Sequence, residues 1–142
     1  MTIADILSHK GDEIISVAPD ATVQGALDLL ATHRIGALLV MDPDGAPVGI
    51  LSERDVVRHI ASSGAGVLDG PVSACMTADI VSCAPGETIE GAMATMTRGR
   101  FRHLPVMQDG RLVGLVSIGD VVKQRIAEAE RDTEELKRYI AG

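Results

Sequence analysis

The segment Gly114-Leu115-Val116-Ser117-Ile118-Gly119-Asp120-Val121-Val122 has an earlier counterpart in Gly49-Ile50-Leu51-Ser52-Glu53-Arg54-Asp55-Val56-Val57, and the predicted fold follows from this recurrence. Each copy is an apolar run followed by Ser-x-x-Asp and two valines. We interpret each as a strand, a tight turn and a helix that begins at the serine. A helix start has unpaired N–H groups and partial positive charge, which suit a phosphate. The aspartate can accept hydrogen bonds from ribose hydroxyls.

The same Ser-x-x-Asp pattern has a purely structural interpretation. In a capping box, the serine side chain accepts from the backbone N–H three residues later, and the acid reaches back to the serine N–H. A single copy of the motif favours this interpretation. Its recurrence with the same flanking residues, inside a longer repeat, favours a functional role.

Composition excludes several classes of protein. The chain has 142 residues and a net charge of −7, which argues against nucleic acid as a partner because that binding needs a basic patch. No apolar run approaches the ~18 residues that span a membrane, and we expect no secretion signal. Cys75 and Cys83 are too few for a disulfide framework or a zinc site. We expect two buried, reduced thiols in a cytoplasmic protein.

An internal repeat covers most of the chain. Residues 14–42 align with 80–108, and residues 45–61 align with 110–126 after one deletion in the turn. A half of roughly 60 residues buries too little surface to be stable alone. We therefore predict an α+β fold in which two β-α-β-β-α halves pack with pseudo-two-fold symmetry. The predicted division is 1–61 for the first repeat with a short N-terminal helix, 62–71 for a linker, 72–127 for the second repeat and 128–142 for a helical extension.

Each predicted half has the same element signals. Thr22 and Thr88 are expected to cap amphipathic helices, and the run 37–41 is expected to be a buried strand. Gly25 and Gly91 lie inside these helices at a cost of roughly 1 kcal/mol each, which we interpret as the close approach of another backbone. Pro105 cannot donate a hydrogen bond, so we expect it at a sheet edge or bulge.

These motifs together resemble a tandem pair of CBS domains, known as a Bateman module. The resemblance is carried by the duplicated half, the Thr-Val-x-x-Ala helix start, the run 102–106 (Arg-His-Leu-Pro-Val) and the two Gly-x-x-Ser-x-x-Asp ends. It implies a non-catalytic regulatory module that binds AMP, ADP, ATP, NAD(H) or S-adenosylmethionine in the cleft between the repeats. It also implies a homodimer that signals to an unknown regulated protein.

The resemblance also implies ligand contacts at positions in both repeats. Asp120 and Asp55 would hold ribose hydroxyls, and Ser117 and Ser52 would lie at the phosphate. The remaining candidates are the basic pair Arg102 and His103, the first-strand residues Ser16, Val17, Ser82 and Cys83, and two residues specific to repeat one, Ala37 and Arg54.

The two predicted sites are not equivalent. Repeat one has Gly36-Ala37 where repeat two has Arg102-His103, so it loses two phosphate donors and gains room for a flat ring. Charge-assisted hydrogen bonds contribute ~1.5–3 kcal/mol each, which predicts that the Ser117–Asp120 site binds phosphate more strongly. Arg54 is a candidate to compensate in repeat one, and a dinucleotide that spans both sites is a further alternative.

The sequence can also be interpreted as an enzyme or as a structural module. Ser117 lacks the Gly-x-Ser-x-Gly context of a hydrolase nucleophile, since Leu115 stands where glycine is required. The chain also has neither a Walker-type phosphate-binding loop nor His-Glu-x-x-His, so we expect no enzyme and no catalytic cofactor. A structural dimer without a ligand is the remaining alternative, although both serines and both aspartates are kept.

Overall fold

The computed structural model describes residues 1–10 and 13–141. Residues 11–12, inside the first predicted repeat, and residue 142, the end of the predicted extension, lie outside the described residues. The chain divides into two compact units. One contains Glu13–Val81 and Gly110–Leu112, and the other contains the N-terminal segment, Ser82–Asp109 and the chain from Val113 onward.

The unit of the first repeat has the predicted β-α-β-β-α order. Its elements are β1 (Ser16–Val17), α2 (Val23–His33), β2 (Ala37–Met41), β3 (Pro47–Ser52) and α3 (Glu53–Ser63). Strand β1 pairs in parallel with β2, and β2 pairs antiparallel with β3. Two 3₁₀ helices follow, Ala65–Asp69 and Val72–Ala74. The core of this unit is built from aliphatic side chains of α2, the two longer strands and Val72.

The unit of the second repeat is built in the same way, with α1 (Ile3–Lys10) added to it. Its other elements are α4 (Ile89–Gly99), β4 (His103–Gln108), β5 (Arg111–Ser117) and α5 (Ile118–Ala141). The expected first strand at residues 82–83 is a single parallel bridge from Cys83 to Val106. Ile3 and Ile6 of α1 are buried in the core with Leu104 and Val116. The helix that precedes repeat one therefore packs against repeat two.

The α+β fold with two repeats is confirmed, and the helix caps explain much of it. The Thr22 side chain accepts a hydrogen bond from the Gly25 N–H, and Thr88 accepts from Gly91 in the same way. Both helices end on an arginine in the left-handed region, Arg34 or Arg100, whose N–H returns to the last turn. The predicted extension of the last helix is also present, since α5 runs to Ala141.

The expectation for the two helical glycines was wrong. A Cβ on Gly25 would lie 3.2 Å from the Thr22 Oγ1, and one on Gly91 would lie 3.1 Å from the Thr88 Oγ1. Among the described residues, no other backbone lies within 4 Å of either built Cβ. Glycine thus leaves room for the capping hydroxyl, which belongs to the same helix, rather than for a neighbouring chain segment.

Two other glycines do leave room for the close approach of another segment of the chain. A Cβ on Gly49 in β3 would lie 2.5 Å from the Met76 Sδ and 3.1 Å from the Thr77 carbonyl oxygen. A Cβ on Gly114 in β5 would lie 2.6 Å from the Leu7 Cδ2. These are the glycines of the Gly-x-x-Ser-x-x-Asp repeats. In each repeat, the segment that precedes the other repeat packs onto the strand just before the serine.

Candidate functional site

The Ser52–Asp55 pair forms a complete capping box at the start of α3. The Asp55 N–H donates to the Ser52 Oγ at 3.2 Å, and the Ser52 N–H donates to the Asp55 Oδ2 at 3.0 Å. The Ser52 hydroxyl also donates to this oxygen at 2.9 Å. The Thr77 hydroxyl lies 3.3 Å from the other oxygen, Oδ1. Asp55 is consequently only 9% exposed, and both of its oxygens already have protein donors.

The Ser117–Asp120 pair has the same geometry at the start of α5. The Asp120 N–H donates to the Ser117 Oγ at 3.1 Å, and the Ser117 N–H donates to the Asp120 Oδ2 at 2.9 Å. The side chain of Asp120 is 26% exposed. The hydrogen bonds from Lys10 and from the Ser117 N–H both go to its Oδ2. Of the two aspartates, Asp120 is therefore the one whose carboxylate retains a face for a ligand.

Lys10, at the end of α1, is the partner of Asp120 that the sequence did not predict. Its Nζ donates to the Asp120 Oδ2 at 2.7 Å and to the Leu115 carbonyl oxygen at 2.8 Å. Burial raises the pKa of Asp120, but hydrogen bonds from Lys10 and the Ser117 N–H, together with the lysine charge, outweigh it and leave the pKa below its ordinary value of 3.8. Asp120 is thus held ionised.

The helix starts are less open to a phosphate than the motif suggested. The first N–H of α5, from Ile118, donates to the Arg102 carbonyl oxygen at 2.8 Å. The first N–H of α3, from Glu53, donates to the Gly36 carbonyl oxygen at 3.0 Å. Arg102 and Gly36 are therefore structural equivalents, as the repeat alignment predicted. An arginine adjoins the helix start in one repeat and a glycine in the other.

The other candidates divide between the two units. Arg102 is exposed and His103, the first residue of β4, is half-buried. In the same unit, Ser82 is exposed and Cys83 is buried. Burial, and then the charge of Glu87, raises the pKa of the Cys83 thiol to about 11. This cysteine can therefore border a ligand only as a neutral, packed side chain.

In the first-repeat unit, the candidates lie on the edge strand β1, on β2 and at the start of α3. Ser16 and Val17 form β1 and pair with Leu39 and Val40. Ala37 pairs with Ser52 across β2 and β3, but it is only 1% exposed, so its methyl group contributes to the core. Arg54 is exposed in the first turn of α3. Repeat one therefore brings together a buried aspartate, a buried alanine and one exposed cation.

A cavity of about 830 Å³ adjoins Asp120 on the second-repeat unit. It lies along α1 and α5, and its charged lining includes Lys10, Lys123 and Arg131 as well as Asp120 and two glutamates of α5. Its volume is within the range of small-molecule sites.

No group of three His, Cys, Asp or Glu side chains among residues 1–10 and 13–141 is placed to hold a metal ion. None of the helices in that same part of the chain is long and apolar enough to cross a membrane.

Comparison with known proteins agrees with this geometry. The family model described as CBS domain matches residues 3–62 and 72–126. The chain belongs to the CBS-domain family. This confirms the resemblance and places the two matches on the two repeats.

Several relatives cover most of the chain. The CBS-domain containing protein ATU1752 from Agrobacterium tumefaciens is 45% identical, with a TM-score of 0.85 over 87% of this chain and 92% of that one. The CBS domain-containing protein CBSX3, mitochondrial, from Arabidopsis thaliana is 34% identical over 99% of this chain and 72% of its own length. The CBS domain protein PAE2072 from Pyrobaculum aerophilum, solved in complex with AMP, is 28% identical, with a TM-score of 0.75 over 84% of this chain and 89% of that one.

The Lys10–Asp120 contact was missed because its partners are 110 residues apart in sequence. No local pattern predicts that a lysine ahead of repeat one will contact the motif of repeat two. The repeat itself held one indication, since the segment ahead of repeat two has the same role. Thr77, from that segment, contacts Asp55 of repeat one.

Proposed function

We propose that this CBS pair is a regulatory module that binds an adenosine-containing nucleotide at Ser117 and Asp120 and transmits its occupancy to another protein. The observation that carries the proposal is the partly exposed, ionised carboxylate of Asp120 at the start of α5. It lines a cavity large enough for a nucleotide, and the Arg102 carbonyl oxygen accepts the first N–H of the same helix. The relative that was solved with AMP supports the same class of ligand.

The ribose would bind through the Asp120 Oδ1, since the hydrogen bonds from Lys10 and the Ser117 N–H go to Oδ2. The phosphate would be met by cations rather than by the helix start alone, because Ile118 already donates its N–H to a carbonyl. Arg102 is the first such cation, and we include His103, Ser82 and Cys83 as neighbours of the ligand. Binding, and not catalysis, is the function that these groups support.

Repeat one is proposed as the weaker site. A ribose at Asp55 would have to displace the Thr77 hydroxyl and open a carboxylate that is 9% exposed. Burying or unmasking polar groups without replacement hydrogen bonds is costly. Arg54 is exposed beside this site and supplies its one cation in the first turn of α3. We therefore expect one strong adenosine site per chain, at Asp120.

A second candidate function is that of a structural dimerisation module without a ligand. It is favoured by the completeness of both capping boxes, which already use the serines and aspartates for folding. A homodimer is compatible with either function. We propose that it forms through α5, where Ile126, Leu136 and Ile140 are each more than half exposed.

The exposed apolar side chains of α5 form a row that suits a second copy of the chain as partner. Ile118, Val122 and Ile126 recur every fourth residue and continue to Leu136 and Ile140 on the same face. Glu130 and Lys137 flank this row on one side. In an antiparallel pair centred near Thr133, Glu130 of one chain lies beside Lys137 of its partner. Two such contacts arise by symmetry, which favours self-pairing.

The two candidate functions are separated by isothermal titration with AMP, ATP, NAD, NADH and S-adenosylmethionine. Wild-type protein is compared with Asp120→Asn and Asp55→Asn, because asparagine keeps a side-chain oxygen for the cap but lacks the charge. We expect at least one adenosine compound to bind, and Asp120→Asn to weaken it at least tenfold while Asp55→Asn changes it less. Absence of binding by all five compounds would favour the structural module.

A further inference from the structure

Lys10 places a cation on the same carboxylate that is proposed to hold the ribose. Its ammonium is 2.7 Å from the Asp120 Oδ2, and the two side chains are 39% and 26% exposed. The ammonium also holds the Leu115 carbonyl oxygen at 2.8 Å, so it is fixed at two points beside the start of α5. An ion pair that is partly buried is screened less by salt than one on the open surface.

In repeat one, the residue that reaches the aspartate from the preceding segment is neutral. Asp55 is contacted by the Thr77 hydroxyl at 3.3 Å, where Asp120 is contacted by an ammonium. The motifs themselves are otherwise alike in their capping geometry. The electrostatic difference between the two repeats therefore comes partly from the segments that precede them, and not only from Arg102 and His103.

A second ammonium lies nearby on the same cavity. Lys123 follows Asp120 by three residues on α5, so both side chains lie on neighbouring positions of one helix face. Lys10, Asp120 and Lys123 all line the 830 Å³ cavity. A ligand that held Asp120 with its ribose and extended into this cavity would meet two cations close to its 5′ substituent.

We propose that Lys10 makes the Asp120 site select adenosine ligands that carry a 5′ phosphate over those whose 5′ substituent is neutral or cationic. This inference rests on the proposed function. The Lys10 ammonium has three N–H donors, of which the Asp120 Oδ2 and the Leu115 carbonyl oxygen use two, so it can still donate to an anion of the ligand. A phosphate gives Lys10 a new anionic partner. A neutral thioether offers the Lys10 ammonium no anionic partner, and a positively charged sulfonium repels it.

The test uses a pair of ligands that differ only at the 5′ position. AMP and 5′-methylthioadenosine share adenine and ribose, but the second has a neutral methylthio group in place of the phosphate. Both are titrated calorimetrically into wild-type protein, Lys10→Met and Lys10→Arg. Methionine keeps a chain of similar length without the charge, whereas arginine keeps the charge. Arg58→Met, on the exposed side of α3, is the matched control for the loss of one positive charge.

We expect wild-type protein to prefer AMP over 5′-methylthioadenosine. Lys10→Met should reduce the ratio of these two affinities by about tenfold, which is the effect of losing one charge-assisted hydrogen bond that solvent partly replaces. Lys10→Arg should keep most of the preference, and Arg58→Met should keep all of it. In wild-type protein the ratio should also fall as potassium chloride is raised, which tests the inference without a variant.

The outcomes that overturn the inference differ from those that overturn the function. If AMP binds wild-type protein and its preference over 5′-methylthioadenosine is unchanged in Lys10→Met, Lys10 does not select the ligand, and the proposed function stands. A preference for 5′-methylthioadenosine or S-adenosylmethionine in wild-type protein also refutes the inference alone. If no adenosine compound binds wild-type protein, the function and the inference fail together.

Discussion

Gly49→Ala tests how the segment ahead of repeat two is held on repeat one. The new Cβ would lie 2.5 Å from the Met76 Sδ, 2.9 Å from its Cγ and 3.1 Å from the Thr77 carbonyl oxygen. The methionine side chain can rotate away, but Thr77 is fixed by two backbone hydrogen bonds with Ile50, of 2.8 and 3.0 Å. Overpacking costs roughly 1–3 kcal/mol, and replacing a strand glycine returns about 0.5–1 kcal/mol. We expect a net loss of about 1–2 kcal/mol.

Urea unfolding followed by circular dichroism measures this change, with an unaltered dependence on urea concentration and a lower midpoint. In a thermal scan, a chain of this size should lose roughly 3–8 °C. Gly86→Ala is the matched control, because a Cβ there meets nothing within 4 Å. Gly114→Ala should cost less than Gly49→Ala, since the three atoms nearest to its new Cβ all belong to the movable side chain of Leu7. The reasoning is refuted if Gly49→Ala is as stable as Gly86→Ala.

Three further predictions concern charge, reactivity and assembly. The pKa of Asp120 is lowered in the folded chain, so ionised Asp120 stabilises the fold above the ordinary value of 3.8, and this stabilisation is lost as pH falls below it. Lys10→Met should make the free energy of unfolding, measured by urea titration from pH 6 to pH 2, fall less steeply at the acid end. An unchanged pH profile would contradict the pairing. Because the pKa of the Cys83 thiol is raised to about 11, Cys83 in native protein at pH 8 should react with iodoacetamide far more slowly than in urea-unfolded protein. Equal rates of Cys83 alkylation, measured by mass spectrometry, would show that the thiol is accessible. Leu136→Lys should shift the chain toward monomer in sedimentation equilibrium if α5 joins two copies, whereas Glu135→Lys, on the opposite face, should not.

Much of the local structure could be predicted because it depends on short-range chemistry. Thr22 and Thr88 were identified as caps from the pattern that follows them, and both accept the expected N–H. The run 37–41 matches β2, and the Ser-x-x-Asp pairs do begin helices. Each of these features is settled within a few residues by turn geometry, apolar periodicity and the unpaired N–H groups of a helix start.

The roles of the glycines could not be assigned by the same means. The cost of a glycine in a helix is visible in the sequence, but its reason depends on what occupies the space beside it. At Gly25 that neighbour is the capping hydroxyl of the same helix. At Gly49 and Gly114 it is a side chain from the segment ahead of the other repeat, and no local pattern names that partner.

The duplication, the order of elements within each repeat, the helix caps and the family can all be recognised from patterns in the sequence. The packing of α1 against the second repeat, and with it the contact of Lys10 with Asp120, is seen only in the folded chain. Contacts across such a distance in sequence are selected by the fit of whole surfaces. A single lysine ahead of the first repeat therefore becomes part of a site only once the chain has folded.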